Sequence, residues 1–114
     1  MTDYLPLKPD VFLILMALSD GESYGYALMQ RVADLSNGEV RLQAGALYRR
    51  LRWLLEEGLI EERDERPVAS TDERRRYYAL TPRGREVARA EAARMRELTR
   101  TAASLRLIPQ EGRR

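Results

Sequence analysis

The sequence predicts a mainly α-helical fold carrying one small β-hairpin. Two observations lead there. Three stretches in the first half carry helix start and stop signals and place apolar residues three or four apart. The period then shortens to that of strands between residues 60 and 80, before a last, long helical pattern begins. With 114 residues and 44% apolar content, the chain suits one domain with a modest core.

The first helix starts at Pro9, a favoured first helical residue, with Asp10 in the first turn, where the helix dipole favours a negative charge. It contains Val11–Leu18, an apolar run of eight residues, and stops before Asp20-Gly21. Periodicity alone cannot separate helix from buried strand in such a run, and the start and stop signals decide for helix. A helix apolar all round must be covered on every side, which points to a partner chain. The second helix opens at Ser23 as N-cap and ends at Asn37-Gly38, with Leu28, Val32 and Leu35 at helical spacing. A connector, EVRLQ, leads to a third helix over about Ala44–Glu57, and Gly58 closes it in a left-handed cap.

Ile60–Arg66 and Arg75–Leu80 read as two strands of a hairpin whose tip is long and mobile, because Pro67, Ser70 and Asp72 break the pattern between them. Thr81-Pro82 is an N-cap followed by proline at the first helical position. The fourth helix then runs to about Leu107, before Pro109 and a polar tail, 109–114. Ala88, Glu91, Met95, Leu98, Ala102 and Leu105 alternate three and four apart, a two-helix seam with one acidic defect. That seam serves either packing on the helix's own domain or a dimer, and the dimer reading takes Val11, Phe12, Leu15, Met95, Leu98, Ala102 and Leu105 as the interface. Three helices, a hairpin and a long helix make a winged helix-turn-helix, 1–81, with a C-terminal dimerisation helix, 82–108, in one compact unit.

The third helix carries the functional signal. On a helical wheel with Leu47 at zero, Leu51 falls at about 40° and Leu54 at about 340°, taking 100° per residue. Arg49 falls at about 200°, Gly45 at about 160°, Arg52 at about 140° and Tyr48 at about 100° on the same scale. The arginines therefore face away from the core, and small residues stand at the helix start, where recognition helices meet bases and free N–H groups favour phosphate. Glu56 faces outward only two turns later. The competing reading is a solvated face held by i,i+4 pairs such as Arg52–Glu56. Trp53, at about 240°, fits neither the core nor the centre of the outward face.

Composition narrows the chemistry. There is no cysteine and no histidine, so thiolate zinc sites, disulfides and the commonest general base are absent, and an enzyme is not expected. No cofactor or metal is expected either. No signal peptide is visible, and no apolar run approaches the roughly 20 residues that span a bilayer, so a cytoplasmic protein with no membrane partner is expected. Nineteen of the twenty basic residues are arginine, which suits planar recognition of phosphate and guanine, though a codon bias would also raise the count. Net charge is −4 over residues 1–40, +1 over 41–81 and +5 over 82–114.

The expected partner is double-stranded DNA. Candidate contacts are Ser23, Tyr24, Gly25 and Tyr26 at the second helix, Gln43, Ala44, Gly45, Tyr48, Arg49 and Arg52 on the third, and Arg74, Arg75 and Arg76 in the hairpin. The alternative is a winged-helix protein-interaction module, which would show little salt-dependent affinity for duplex DNA.

Three stretches carry a resemblance: LILMALSDGESYGYALMQRV (13–32), GALYRRLRWLLEEGLIEER (45–63) and RRRYYALTPRGRE (74–86). Together they resemble the PadR family of transcriptional regulators, in its short form. The resemblance implies a homodimeric winged-helix repressor whose last helix, with the first, forms the dimer, and whose two recognition helices read a palindromic operator. It matches the tyrosine of the family's third-helix motif to Tyr48, the Gly-Tyr of its second helix to Gly25-Tyr26, and the basic-aromatic exit of its wing to Arg76-Tyr77-Tyr78. It also implies an effector, since some members bind planar aromatic drugs or phenolic acids at the dimer interface. The sequence departs from the family at Tyr24, often His, and at Arg49, often small or Pro. Its only tryptophan is Trp53, on the third helix and not in the C-terminal seam.

Overall fold

The computed structural model describes residues 2–63, 66–67 and 74–109. The hairpin tip at 68–73 and the tail at 110–114 lie outside them, as does the side chain of Arg74. After a 3-10 turn at Thr2–Tyr4, the elements are α1 (Pro9–Ala17), β1 (Ser23–Tyr24), α2 (Gly25–Leu35), α3 (Ala44–Glu56), β2 (Ile60–Glu62), β3 (Arg66–Pro67), β4 (Arg74–Arg75), β5 (Tyr77–Leu80) and α4 (Pro82–Ser104). Strands β1, β5 and β2 form an antiparallel sheet in that order, with Ser23 opposite Tyr78 and Ile60 opposite Leu80. Strands β3 and β4 prolong the hairpin as a second antiparallel pair. This is the winged helix-turn-helix, and it is mainly helical.

Two sequence expectations are corrected at the start of the chain. Ser23 does not cap α2. It pairs with β5 in a short strand, and Tyr24 precedes the helix without a side-chain cap bond. The three-residue gap between Gly21 and Gly25 is long enough to add an edge strand to the hairpin, a pairing between distant segments that local capping rules do not contain. Helix α1 also ends earlier than its stop signal, at Ala17, in a turn that carries Leu18 into the core.

Residues Val11, Ile14, Leu15 and Leu18 of the first helix and its turn, Leu28 and Val32 of α2, Leu47, Leu51 and Leu54 of α3, and Val87 of α4 make one buried cluster with Leu59, Ile60 and Tyr78. Val11 and Leu15, expected at a dimer interface, are 4% and 0% exposed within a single chain. The neighbours that α1 requires come largely from α2, α4 and the N-terminal segment, so these two residues belong to the chain's own core.

The exit from α3 and the entry to α4 lock together. Gly58 takes a φ of 75°, a left-handed value suited to glycine. Its carbonyl accepts the Thr81 hydroxyl at 2.7 Å, and the Thr81 N–H donates to the Leu59 carbonyl at 3.1 Å. The Thr81 hydroxyl oxygen caps α4 by accepting from the Gly84 N–H at 3.0 Å. A β-carbon at Gly84 would overlap the Leu59 carbonyl oxygen, so only glycine lets α4 approach this closely.

Helix α4 divides in two. Its first half packs on the domain: Val87 is buried, Ala88 is partly buried, and Glu91 is 2% exposed. Glu91 is thus no defect in a seam. It receives two bonds from Arg94, at 2.8 Å from Nε and 2.7 Å from Nη2, and one from the Leu7 backbone. In the second half Met95, Leu98 and Leu105 lie exposed, with Ala102 partly buried. The helix stops at Ser104, short of Leu107. Arg106 turns into the left-handed region at φ 66°, and the Leu107 N–H closes back on the Ala102 carbonyl at 3.0 Å.

Candidate nucleic-acid interface

Helix α3 presents its flanks as the wheel predicts. Leu47, Leu51 and Leu54 are buried, and Gln43, Ala44, Gly45, Arg49 and Arg52 are exposed. Among the described residues, neither Arg49 nor Arg52 forms an ion pair, so the Arg52–Glu56 pair is not made. The Arg49 guanidinium lies over Gly45, with Nη1 3.7 Å from where a β-carbon would stand. The third arginine, Arg50, is turned away. Its Nε donates to Asp10 Oδ2 at 2.9 Å, which ties α3 to the start of α1.

Tyr48 is 48% exposed, and its phenol reaches across to α2. The hydroxyl lies against Gly25, where a β-carbon would overlap Oη and stand 3.0 Å from Cζ. Glycine at the start of α2 is therefore a requirement of close approach, which sets the distance between the two helices. Beside it the wing is held by stacking. The Arg75 guanidinium stands 4.1 Å from the centre of the Tyr24 ring, and that ring meets Tyr77 edge-on, with centroids 5.4 Å apart and planes at 61°. The strand register places these partners together, since Tyr24 is opposite Tyr77 across β1 and β5.

These residues bound a cleft of about 330 Å³ lined by Tyr24, Gly25, Tyr26, Tyr48, Arg75, Arg76 and Tyr78. Tyr26 is exposed, and its hydroxyl accepts from Gln30 Nε2 at 3.4 Å. Arg76 pairs with Glu62 at 3.7 Å. Tyr78 is buried at the cleft's edge, and burial pushes its phenol above the usual tyrosine range. Neighbouring Tyr48 and Glu62 push the same way, while the charge and hydrogen bond of Arg76 oppose them. The phenol therefore stays protonated at neutral pH.

The structure brings Tyr24, Gly25, Tyr26, Tyr48, Arg75 and Arg76 around one cleft. It leaves Gln43, Ala44, Gly45, Arg49 and Arg52 on the adjoining outward side of α3. Ser23 is partly buried in β1 and does not line the cleft. The buried Tyr78 was legible in the sequence only as half of a Tyr-Tyr strand pair. Which of the two turns inward depends on the register with β2, where Tyr78 faces Glu62.

Guanidinium groups, phenols and backbone N–H groups offer hydrogen bonds to an anionic partner. They do not make a hydrolytic or metal centre. Among the described residues there is no cluster of His, Cys, Asp or Glu able to hold a metal ion, and no helix is long and apolar enough to cross a membrane.

Comparison with known proteins agrees with this geometry. A regulator of Clostridium difficile R20291, described as a PadR family transcription regulator, superposes with a TM-score of 0.72 at 22% identity, covering 86% of this chain and 98% of that one. The structure of Bacillus subtilis PadR in complex with operator DNA superposes with a TM-score of 0.63 at 24% identity, covering 75% of this chain and 47% of that one. A PadR-like transcriptional regulator of Bacillus cereus gives a TM-score of 0.70 at 26% identity, covering 88% and 92%. An uncharacterized 37.1 kDa protein in transposon TN4556 of Streptomyces fradiae is 36% identical over 87 residues, and the match spans 76% of this chain but only 23% of that protein. The model of the transcriptional regulator PadR-like family matches residues 14–90. That span exceeds half of the sequence, and the chain belongs to the PadR-like family of transcriptional regulators.

Proposed function

We propose that the chain is a cytoplasmic, sequence-specific DNA-binding repressor that works as a homodimer on a palindromic operator. The carrying observation is the pair of exposed arginines, Arg49 and Arg52, which join no ion pair among the described residues and flank Tyr48 on the outward side of α3, beside a wing whose Arg75 is held on an aromatic stack. Helix α3 lies in the major groove with its N-terminal half against the bases. Arg75, Arg76 and the tyrosines of the cleft meet the backbone. Arg74 joins them in this proposal. The exposed Met95, Leu98 and Leu105, with Ala102 between them, pair with the same face of a second chain, assisted by the partly buried Phe12. Two α3 helices then read half-sites about 34–36 Å apart, one turn of duplex. Relief by a small aromatic effector belongs to the same proposal. The dimer seam holds no tryptophan, so an effector there would meet aliphatic walls.

The test is a mobility-shift panel of single-base operator variants. Arg49→Ala weakens the parent operator by about 1–3 kcal/mol and relaxes one position if the guanidinium reads a guanine. An unchanged base preference removes Arg49 from readout. Weak affinity for every duplex, with no fall as salt rises, would overturn the DNA reading in favour of a protein-interaction module.

A further inference from the structure

Helix α4 carries a second regular face besides its apolar seam. Arg85, Arg89, Arg96 and Arg100 follow one another at spacings of 4, 7 and 4, and the stretches REVAR (85–89) and RELTR (96–100) repeat with an offset of 11 residues. A period of 11 amounts to about 3.67 residues per turn, so the repeat stays on one side of the helix. With Arg85 at zero on a helical wheel, the other three arginines fall between about 20° and 60°, taking 100° per residue. Met95, Leu98, Ala102 and Leu105 fall between about 200° and 280° on the same scale. The arginine stripe therefore faces away from the seam and stays open when the seam is covered. We propose that this stripe is a docking surface for an acidic α-helical segment of another protein, whose carboxylates meet the guanidinium groups.

The charge on the stripe is largely unspent. Arg89, Arg96 and Arg100 are exposed, and Arg85 is partly buried. Arg89 and Arg96 join no hydrogen bond or ion pair among the described residues. Arg85 donates from Nη2 to the Ser19 carbonyl at 3.1 Å, and Arg100 pairs with Glu97 at 2.7 Å. Like charges four residues apart destabilise a helix, and the stripe contains that arrangement twice. A merely solvated face would gain from opposite charges at this spacing. Here Glu86 and Glu97 stand at the edge of the stripe instead, at about 100° and 120°. A row of carboxylates laid along the stripe relieves both repulsions.

The floor of the stripe fits a helix. Ala92, Ala93 and Ala103 lie between the arginines, at about 340°, 80° and 0°. Such small side chains let a second helix approach at the short end of the usual interaxial distance of about 8–10 Å. A helix lying along α4 shares its period, so its carboxylates stay opposite both arginine pairs, about 16.5 Å apart at 1.5 Å per residue. The order of spacings reads the same in both directions, so a parallel or an antiparallel helix matches it. The phosphate strand of a duplex winds about its own axis and leaves a straight helix after one pair. Guanidinium and carboxylate also suit one another as planar, bidentate partners.

Fluorescence anisotropy of a labelled synthetic peptide, titrated with the full chain, tests the proposal. The peptide is an alanine-rich helix with glutamates at the same spacings of 4, 7 and 4, and a control of equal composition spreads its glutamates around the wheel. The matched peptide should bind saturably, and about tenfold or more tightly than the control, through aligned charge-assisted bonds. The double variant Arg89→Glu, Arg96→Glu, whose fold is checked by its thermal transition, should lose that preference. Arg96→Gln, which removes one charge and adds none, should weaken the matched peptide more than the control. The proposal is overturned if neither peptide binds, if the two bind alike, or if the double variant keeps the preference. Displacement of the bound peptide by a duplex lacking the operator would overturn it too, by making the stripe a nucleic-acid surface. The stripe requires neither operator nor dimer, so its failure leaves the proposed function standing.

Discussion

The hydroxyl of Tyr48 rests on the backbone of Gly25, in the space a β-carbon would fill. This contact fixes how closely α3 approaches α2. Gly25→Ala should therefore cost about 1–3 kcal/mol, the usual range for overpacking a tight contact, although alanine is the better helix former. Tyr48→Phe removes the nearer of the two obstructing atoms, so the double variant should recover part of that loss. Denaturant unfolding of the four proteins checks the cycle. A Gly25→Ala protein as stable as the parent would show that the phenol swings aside freely.

Tyr24 supports Arg75 from below and leans on Tyr77. A stack at an exposed site contributes about 0.5–1 kcal/mol, or about two- to fivefold in Kd. Tyr24→Ala should weaken operator binding by that factor, and Tyr24→Phe, which keeps the ring, should leave it near the parent value. If both variants bind alike, Arg75 does not depend on the platform.

Leu98 is 61% exposed in a single chain. A glutamate there meets solvent in the monomer, so single-chain stability should move by no more than about 0.5 kcal/mol. In a paired seam the same substitution buries an unpaired charge. Leu98→Glu should sediment as a monomer, and an undisturbed dimer would place the interface elsewhere.

Glu91 links acid stability to the N-terminal segment. The bonds from Arg94, and after them the one from the Leu7 backbone, hold its carboxyl below the ordinary value of 4.5 despite burial. A group whose pKa is lowered on folding stabilises the fold at pH above its unfolded value. That contribution is lost as pH falls through the lower folded value. Glu91→Gln should thus cost about 1–2 kcal/mol near neutrality, the modest end for a lost charged bond, because Arg94 is partly open to solvent. The difference from the parent should shrink in acid below pH 4.5. A gap that stays constant across that range would mean the effect is packing alone.

Much of the architecture is written locally. Pro9, the Asn37-Gly38 stop, the Gly58 cap and Thr81-Pro82 mark helix ends by backbone rules that act over three or four residues, and the leucine spacing of α3 assigns its buried side. The long C-terminal pattern likewise announces a helix with an apolar stripe. Tertiary structure decided what each stripe meets. It put Val11 and Leu15 in the chain's own core, turned Ser23 from a cap into an edge strand, and made Glu91 a buried anchor within the domain. It sent Arg50 to Asp10 while leaving Arg49 and Arg52 exposed, and it gave Trp53 its neighbour in Tyr4, 49 positions away in the sequence. Periodicity reports which side of a helix is apolar, because that depends on the helix alone. The identity of the surface opposite is set by pairings between distant segments, and no local spacing encodes those.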